Sequence, residues 1–226
     1  MSILGIVTQQ NATSLLLKGL QISQSQAGKS DDDVGLGVVT SACRFSLFVS
    51  GNLQTLEYVL PTQITPLPLG IAYHNQATQD ELDIDAQPQL EAGKEVALVY
   101  TGTLDNAPSL REELQNMGYH FKNINHGKVV LCLLNRYLDL EVNMCPLEAM
   151  SLALARLRGN FAIIALFTKP EALLLAACRG HSLAHGVYNK ESLYIGSSIS
   201  VLKALCYPVV QLQEGSPIVL SSLTIP

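Results

Sequence analysis

The sequence predicts a layered α+β fold, in which helices pack on the outside of stacked sheets. Three observations carry this prediction. Strand-like apolar runs dominate the first half and the last third of the chain, helical patterns are grouped between them, and the two kinds of element do not alternate regularly. A regular alternation would have indicated a parallel sheet with crossover helices instead.

The composition predicts one domain that covers residues 1–226. Of the 226 residues, 48% are hydrophobic and 15% are charged, which is enough apolar material for one sizeable core. The net charge is −5, and the basic residues are scattered instead of forming a stripe. We therefore expect no nucleic-acid partner.

The first elements follow from short local patterns. Residues 3–8 are apolar and β-branched and predict a buried strand, and Asn11 predicts the cap of a modest helix over residues 14–20. Residues 21–33 are rich in Ser and Gln and end in three aspartates, so we expect a solvated, mobile loop there. Further strands are expected within residues 34–49, 69–73 and 95–101.

A helix is predicted between Asn106 and Gly118, with the asparagine as cap, Pro108 in the first turn and the glycine as stop. Its buried face is expected to contain Leu110, Leu114 and Met117. Two more helices are expected over residues 128–138 and 146–157. The last third predicts mostly hairpins, with strands at 161–167, 172–177, 192–195, 209–212 and 218–220 and a short helix at 200–205.

The cysteines favour a reduced, cytoplasmic protein. Their number is odd, and they are widely spaced with no Cys-x-x-Cys pair, so we expect neither a metal site nor a redox site. No apolar run is long enough to cross a bilayer, and no basic segment precedes the first strand. We predict a cytoplasmic protein that does not span a membrane and has no cofactor. The five cysteines are Cys43, Cys132, Cys145, Cys178 and Cys206.

Three motifs resemble ligand-binding sites but are better explained as ordinary loops. Residues 28–30, Gly-Lys-Ser, resemble the end of a phosphate-binding loop, but Ser23 stands where a further glycine is needed. Four carboxylates within residues 80–85 lack the glycine of a calcium loop, and we expect a solvated acidic loop. His181 and His185 have helical metal-ligand spacing but lie between glycines, which favours ordinary loop histidines.

A series of segments carries a family resemblance. Residues 100–106 read Tyr-Thr-Gly-Thr-Leu-Asp-Asn, followed by Leu-Arg-Glu-Glu-Leu at 110–114 and Gly-Tyr-His-Phe at 118–121. They resemble the glutaminase domain of glucosamine-6-phosphate synthase, a class II glutamine amidotransferase, which has His-Asn-Gly-Ile-Ile-Glu-Asn, Leu-Arg-Glu-Glu-Leu and Gly-Tyr-x-Phe. Further matches in the same order lie at residues 4–7, 35–39, 70–72, 158–161 and 212–215. The resemblance implies the four-layer αββα sandwich of N-terminal-nucleophile hydrolases.

The resemblance also implies that the catalytic nucleophile has been replaced. In the family the mature chain begins with a cysteine that attacks the glutamine amide, and its free α-amine is the base. Leu4 holds that place here, and residues 1–3 precede it. A leucine cannot attack a carbonyl, and a peptide nitrogen is not basic. Nucleophile and base are therefore lost together.

The family's binding groups are replaced as well. The oxyanion asparagine is Thr101 here, although the backbone N–H of Gly102 is retained. Loss of such a donor costs about 10²- to 10³-fold in rate. Asn75 stands for the arginine that holds the substrate carboxylate, and Gln76 stands for the tryptophan after it.

Two further replacements lie beyond these positions. His126 stands for the aspartate that receives the substrate's α-amine, and Lys128 is close in sequence, so the site is expected to repel a cation. The family's Asn-Ala-His-Pro-His is Asp-Ala-Gln-Pro-Gln at residues 85–89. The expected remodelled pocket contains Asn75, Gln76, Thr101, Gly102 and His126.

These replacements favour a non-catalytic binding or regulatory module, with a small ligand or with an amidotransferase or synthase subunit as partner. The alternative is an enzyme with a relocated nucleophile, because Ser2 becomes a free N-terminal residue if Met1 is removed. Against it, Ser2 lies about 7 Å along an extended strand from the expected position. A glutaminase subunit that serves a separate isomerase chain would need residues that are missing here, and Cys43 is expected to be structural. The oligomeric state is left open.

Overall fold

The structure is a computed structural model that describes residues 1–28, 32–39, 44–60, 68–76, 87–91, 95–121, 125–140 and 144–220. Within these residues the helices are α1 (Ala12–Ala27), α2 (Leu53–Val59), α3 (Ala107–Asn116), α4 (His126–Leu140), α5 (Pro146–Arg156) and α6 (Ile199–Leu205). The strands are β1 (Ser2–Thr8), β2 (Asp32–Val39), β3 (Phe45–Ser50), β4 (Leu69–Gln76), β5 (Gln89–Leu90), β6 (Val96–Leu104), β7 (Gly159–Phe167), β8 (Leu173–Arg179), β9 (Ala184–Tyr188), β10 (Ser192–Gly196), β11 (Val209–Gln211) and β12 (Ile218–Leu220).

The strands form two antiparallel sheets. The first sheet has the order β11-β9-β10-β1-β4-β2-β3, and the second has the order β12-β8-β7-β6-β5. Strand β1 lies in the middle of the first sheet, hydrogen-bonded to β10 on one side and to β4 on the other. The beginning of the described chain is therefore held at the centre of the fold.

Three apolar clusters separate four layers. Because side chains alternate between the two faces of a strand, each sheet contributes one set of residues to the space between the sheets and another to its helices. One cluster lies between the sheets, one between the first sheet and α1, α2 and α6, and one between the second sheet and α3, α4 and α5. The order helix, sheet, sheet, helix confirms the predicted αββα sandwich.

Helix α1 is longer than predicted. The Asn11 side chain accepts a hydrogen bond from the Thr13 N–H at 2.9 Å, as expected for the cap. The helix then continues through Ala27 and ends at Gly28, which has φ 74° and donates its N–H to the Gln24 carbonyl. The prediction of a loop was wrong over residues 21–27, because Gln is compatible with a helix and Ser23 is buried on its inner face. Residues 29–31 of the predicted loop lie outside the described residues.

Helix α3 is confirmed, with two differences at its ends. The Asn106 side chain makes no cap bond; its amide donates to the Arg156 carbonyl at 2.8 Å and its oxygen accepts from the Arg158 N–H at 3.0 Å. Asn106 therefore ties the start of α3 to the end of α5. Met117 is 46% exposed and not part of the buried face, because the helix ends at Asn116.

The sequence patterns missed α2 and β9. Helix α2 has seven residues, of which only Leu53 and Leu56 are buried, and this is too short for a helical period to be recognised. Its cap is regular, since the Asn52 side chain accepts a hydrogen bond from the Thr55 N–H at 2.8 Å.

No helix in the described part of the chain is long and apolar enough to cross a membrane. Residues 29–30, Cys43 and the acidic cluster at 80–85 lie outside the described residues.

One ion-pair network joins the three helices that cover the second sheet. The Glu113 carboxylate on α3 accepts hydrogen bonds from Arg136 on α4, at 2.8 Å, and from Arg156 on α5. These bonds, the one from Arg156 first, lower the pKa of Glu113. The folded state therefore favours the ionised carboxylate.

We expect Glu113→Gln to destabilise the protein near neutral pH by an amount in the range of exposed ion pairs, about 0.2–1 kcal/mol. A lowered folded-state pKa contributes stability above the unfolded pKa, about 4.3 for Glu, and that stability is lost as the pH falls through the folded value. Urea unfolding at pH 7 and in acid measures this difference. The exposed Glu112→Gln is the control, and an effect of Glu113→Gln that stays constant into acid would contradict the assignment.

Candidate functional site

Leu4 lies inside β1 and not at its start. It is opposite Gly196 of β10 and Ala72 of β4, and it is 5% exposed. Its side chain points toward the helices, because a Cβ added to Gly19 of α1 would lie 2.4 Å from a Leu4 methyl carbon. The position that the resemblance equates with the family's nucleophile is thus occupied by a packed aliphatic side chain inside a strand.

The two residues before Leu4 are also part of the sheet. Ser2 is opposite His74, and Ile3 is opposite Tyr73. The Ile3 N–H donates to the Ser197 hydroxyl at 3.1 Å, and its carbonyl accepts from the Ser197 N–H at 3.1 Å. Ile3 and Tyr73 are each 1% exposed and belong to the cluster between the sheets. Apolar packing therefore fills the space beside the start of β1.

Asn75 lies two residues beyond Tyr73 on β4, so its side chain is on the face toward the second sheet. It is 4% exposed, and among the described residues its amide nitrogen has no hydrogen-bond acceptor. Gln76 is the last residue of β4, and its side chain lies outside the described part. The residue that the resemblance equates with the family's arginine is therefore a buried, neutral amide.

Thr101 and Gly102 lie near the end of β6. Thr101 is 3% exposed and lies two residues beyond Val99, which belongs to the cluster between the sheets. Gly102 has φ +108°, and a Cβ there would lie 2.2 Å from the Asn160 carbonyl oxygen of β7. Only glycine fits this backbone position. The retained glycine is thus explained by the local geometry alone.

His126 begins α4 and faces the end of β6. Its Nδ1 accepts a hydrogen bond from the Leu104 N–H at 3.2 Å, and its ring meets the Tyr100 ring edge-on at 6.3 Å. Burial lowers the pKa of His126, and a hydrogen bond with the Gly102 backbone partly opposes this effect. Because the pKa falls below its usual value near 6.5, the imidazole is mainly neutral at pH 7. The expected repulsion of a cation by His126 is accordingly weak.

The structure brings part of the predicted pocket together at the end of β6. His126 contacts the backbone at Gly102 and Leu104, next to Thr101. Leu4 and Asn75 lie on opposite faces of the first sheet, the former toward α1 and the latter toward the second sheet. Leu4, which is not part of the predicted pocket, therefore does not face Asn75, the residue that the resemblance equates with the family's carboxylate-binding arginine.

Gln87 has a role that sequence reasoning missed. The register of β5 and β6 places it opposite Tyr100, and its side chain makes both bonds of the ladder there. The Tyr100 N–H donates to Gln87 Oε1 at 2.8 Å, and Gln87 Nε2 donates to the Tyr100 carbonyl at 3.1 Å. Pro88, which has no N–H, was the available signal that the main chain could not continue the strand.

A second group of polar side chains lies on the helix-facing side of β1. The Ser23 hydroxyl of α1 is 3.0 Å from the Ser2 hydroxyl and 2.7 Å from Nδ1 of His74. His74 is 3% exposed. A cleft beside this group is lined by Ser2, Ile3, Leu4, Gly19, Leu20, Ser23, Ala72, Ser198 and Val201. The sequence contained no spacing signal for this group, because its members come from three separate elements.

Two stacked antiparallel sheets between helix layers, with the first strand in the middle of one sheet, form the fold that solved glutamine amidotransferase structures share. Residues 74–204 match the family described as "Glutamine amidotransferase domain". The chain belongs to this family of glutamine amidotransferase domains.

The curated relatives of this chain include glutamine–fructose-6-phosphate aminotransferases (isomerizing). The chain is 30% identical to the protein of Zymomonas mobilis over 220 residues, covering 97% of this chain and 35% of that protein. It is 30% identical to the protein of Gluconobacter oxydans over 215 residues, covering 94% and 34%. The chain thus spans about a third of the length of these relatives.

Solved structures share the fold. Glutamine phosphoribosylpyrophosphate amidotransferase from B. subtilis, in complex with ADP and GMP, has a TM-score of 0.74 and 16% identity, covering 98% of this chain and 49% of that chain. A structure described as the allosteric regulatory enzyme of purine biosynthesis has a TM-score of 0.76, with the same identity and coverage.

Proposed function

We propose that this glutamine amidotransferase-like domain does not hydrolyse glutamine and acts as a binding or regulatory module. The observation that carries the proposal is the place of Leu4. Its side chain has no nucleophilic atom, and its nitrogen is a peptide nitrogen inside a paired strand. Attack on an amide requires a nucleophile and a base, and this position supplies neither.

Substrate recognition supports the same proposal. Glutamine carries a carboxylate and an ammonium group, and hydrogen bonds to charged groups are worth about 1.5–3 kcal/mol each. Asn75 replaces a cation with a neutral amide, and His126 replaces an anion with a mainly neutral imidazole. A zwitterionic amino acid would therefore lose both of its charged partners.

The intact packing supports a retained role. Strand register, helix ends and all three apolar clusters agree with one another, and such agreement across levels is what specifies a single fold. The ligand proposed for the pocket is a small molecule without the charges of a free amino acid. The proposed protein partner is an amidotransferase or synthase subunit.

We expect Leu4→Cys to leave glutamine hydrolysis undetectable, because the new thiol would face the helices and its nitrogen would still be acylated. A second form of this variant has a cleavable tag in place of residues 1–3, so that cleavage leaves the introduced cysteine as the first residue with a free amine. We expect no hydrolysis there either, because Asn75 and His126 do not bind the substrate's charges. Ammonia release from glutamine is the measurement.

A control variant and a binding measurement complete the test. Thr101→Val changes the predicted pocket with little change in shape, whereas a contaminating glutaminase would be unaffected by it. The proposal would be contradicted if the wild-type chain released ammonia and the Thr101→Val variant released less.

A thermal-shift screen with glutamine, glutamate and amino-sugar phosphates tests binding, since a ligand that binds only the folded state raises the melting temperature. We expect no shift with glutamine.

A further inference from the structure

We propose that Ser2, Ser23 and His74 form a nucleophile with a proton relay, placed on the helix-facing side of the first sheet, that accepts a short acyl group from an ester. This site is separate from the pocket that the family resemblance implies. It does not depend on glutamine hydrolysis.

The three side chains converge because of strand pairing. Ser2 and His74 are directly opposite in β1 and β4, and directly opposite residues have side chains on the same face. Ser23 approaches that face from α1 and lies within hydrogen-bond distance of both, 3.0 Å from the Ser2 hydroxyl and 2.7 Å from His74 Nδ1. Ser23 and His74 are 7% and 3% exposed, so the pair beneath Ser2 is shielded from solvent.

This order of atoms can transfer a proton away from Ser2. The Ser2 hydroxyl donates to the Ser23 oxygen, and the Ser23 hydroxyl donates to His74 Nδ1 when the imidazole carries its proton on Nε2. A serine hydroxyl is a weak nucleophile unless a base lies within such reach. An imidazole nitrogen is the general base that enzymes use most often for this task.

The cleft beside Ser2 determines the kind of substrate. Its apolar walls include Leu4, Leu20, Ala72 and Val201, and none of the described residues that line it is charged. The volume of the cleft is about 10 Å³, which is about the space of one water. Its small size restricts the acyl group to the shortest ones, and its uncharged walls disfavour a zwitterion such as glutamine.

The proposed reaction is the hydrolysis of an ester in two steps, and water is the only other reactant. The Ser2 oxygen forms a bond with the acyl carbon of the ester, and the bond between that carbon and the alcohol oxygen breaks. The Ser2 proton passes to Ser23, and the Ser23 proton passes to His74. The same path returns a proton to the departing alcohol. Water then cleaves the serine ester and releases the carboxylic acid.

The test uses the full chain and two probes. A small alkyl fluorophosphonate forms a phosphorus–oxygen bond with an activated serine and releases fluoride, and mass spectrometry of the peptide that contains Ser2 locates the adduct. The ester p-nitrophenyl acetate reports turnover. We expect an adduct on Ser2 and ester hydrolysis that Ser2→Ala abolishes.

Variants of His74 and Ser23 distinguish a role in proton transfer from a purely structural role. His74→Gln keeps an acceptor for Ser23 but has no basic nitrogen, and we expect the labelling rate to fall by about 100-fold, as for loss of a general base. Ser23→Ala should have a similar effect, and Ser23→Thr should restore the rate because it keeps the hydroxyl. Ser25→Ala, on the exposed side of the same helix, is the matched control and should label like the wild type.

Melting temperatures and circular dichroism establish that each variant is folded. An absence of adduct on Ser2 in the folded wild-type chain would overturn the proposal. So would folded His74→Gln and Ser23→Ala variants that label at the wild-type rate, since Ser2 would then be an ordinary accessible serine. Failure of Ser23→Thr to restore labelling in a folded chain would count against the relay as well.

Discussion

Phe161→Ala should lower the free energy of unfolding by about 3–5 kcal/mol, the range for removal of a fully buried aromatic ring. Phe161 is 0% exposed in β7 and belongs to the cluster beneath α3, α4 and α5. Its ring stacks on Tyr100 at 6.4 Å, and the Arg179 guanidinium lies 5.6 Å from its centroid. That guanidinium also donates to the Leu157 carbonyl, so the ring supports a contact with the end of α5.

Urea unfolding of the wild type and the variant measures this effect. Phe161→Leu is the matched control, since it keeps most of the apolar volume, and we expect it to cost much less. A loss below about 1 kcal/mol for Phe161→Ala would mean that the site collapses around the missing ring. Because Phe161 is directly opposite Gly102, the variant should also perturb the end of β6 that His126 contacts.

Gly35→Ala is the second large effect, and we expect about 1–3 kcal/mol of destabilisation from overpacking. A Cβ at Gly35 would lie 1.7 Å from the Gln87 carbonyl oxygen and 2.8 Å from its carbon. These are main-chain atoms, so no side-chain rotation relieves the contact. The segment at Gln87 would have to shift, which would disturb its two hydrogen bonds with Tyr100.

The control for this prediction is Gly51→Ala. The nearest atom to a Cβ at Gly51 is an Asp33 carboxylate oxygen at 4.0 Å, so the methyl group has space. We expect this variant to unfold at nearly the wild-type urea concentration. Equal midpoints for Gly35→Ala and Gly51→Ala would show that the segment at Gln87 does not pack as described.

Sequence reasoning succeeded where a local signal coincided with the tertiary structure. Helix α3 has a proline in its first turn and two leucines four residues apart, and helix α5 begins with Pro146. These signals act within one or two turns, so no knowledge of neighbouring elements is needed. Burial of the apolar strand β7 follows in the same way from its unbroken apolar run.

The failures have a common cause. Residues 21–27 read as a loop because Ser and Gln carry no apolar stripe, yet α1 continues there with Ser23 packed over His74. Asn106 has the composition of a cap but bonds to α5, because Arg156 and Arg158 are nearby only in the folded chain. In both cases a long-range contact outweighs the local preference.

At the site, too, some features could be predicted from the sequence and others depend on the tertiary structure. The substituted positions could be recognised from the sequence, because a leucine at position 4 excludes a thiol whatever its surroundings. Which face of β1 that leucine occupies depends on sheet pairing, as does the meeting of Ser2, Ser23 and His74. A strand sends alternate side chains to opposite faces, and only the packing of both sheets decides which face meets helices and which meets the other sheet.

The amino-acid sequence by itself determined the layered fold and which residues stand at the positions that the resemblance implies, because residue identity and local periodicity are properties of the chain alone. The tertiary structure alone decided which polar groups meet. Hydrogen bonds between residues as distant in the chain as Ser23 and His74 depend on how the layers pack, and no local pattern encodes that arrangement.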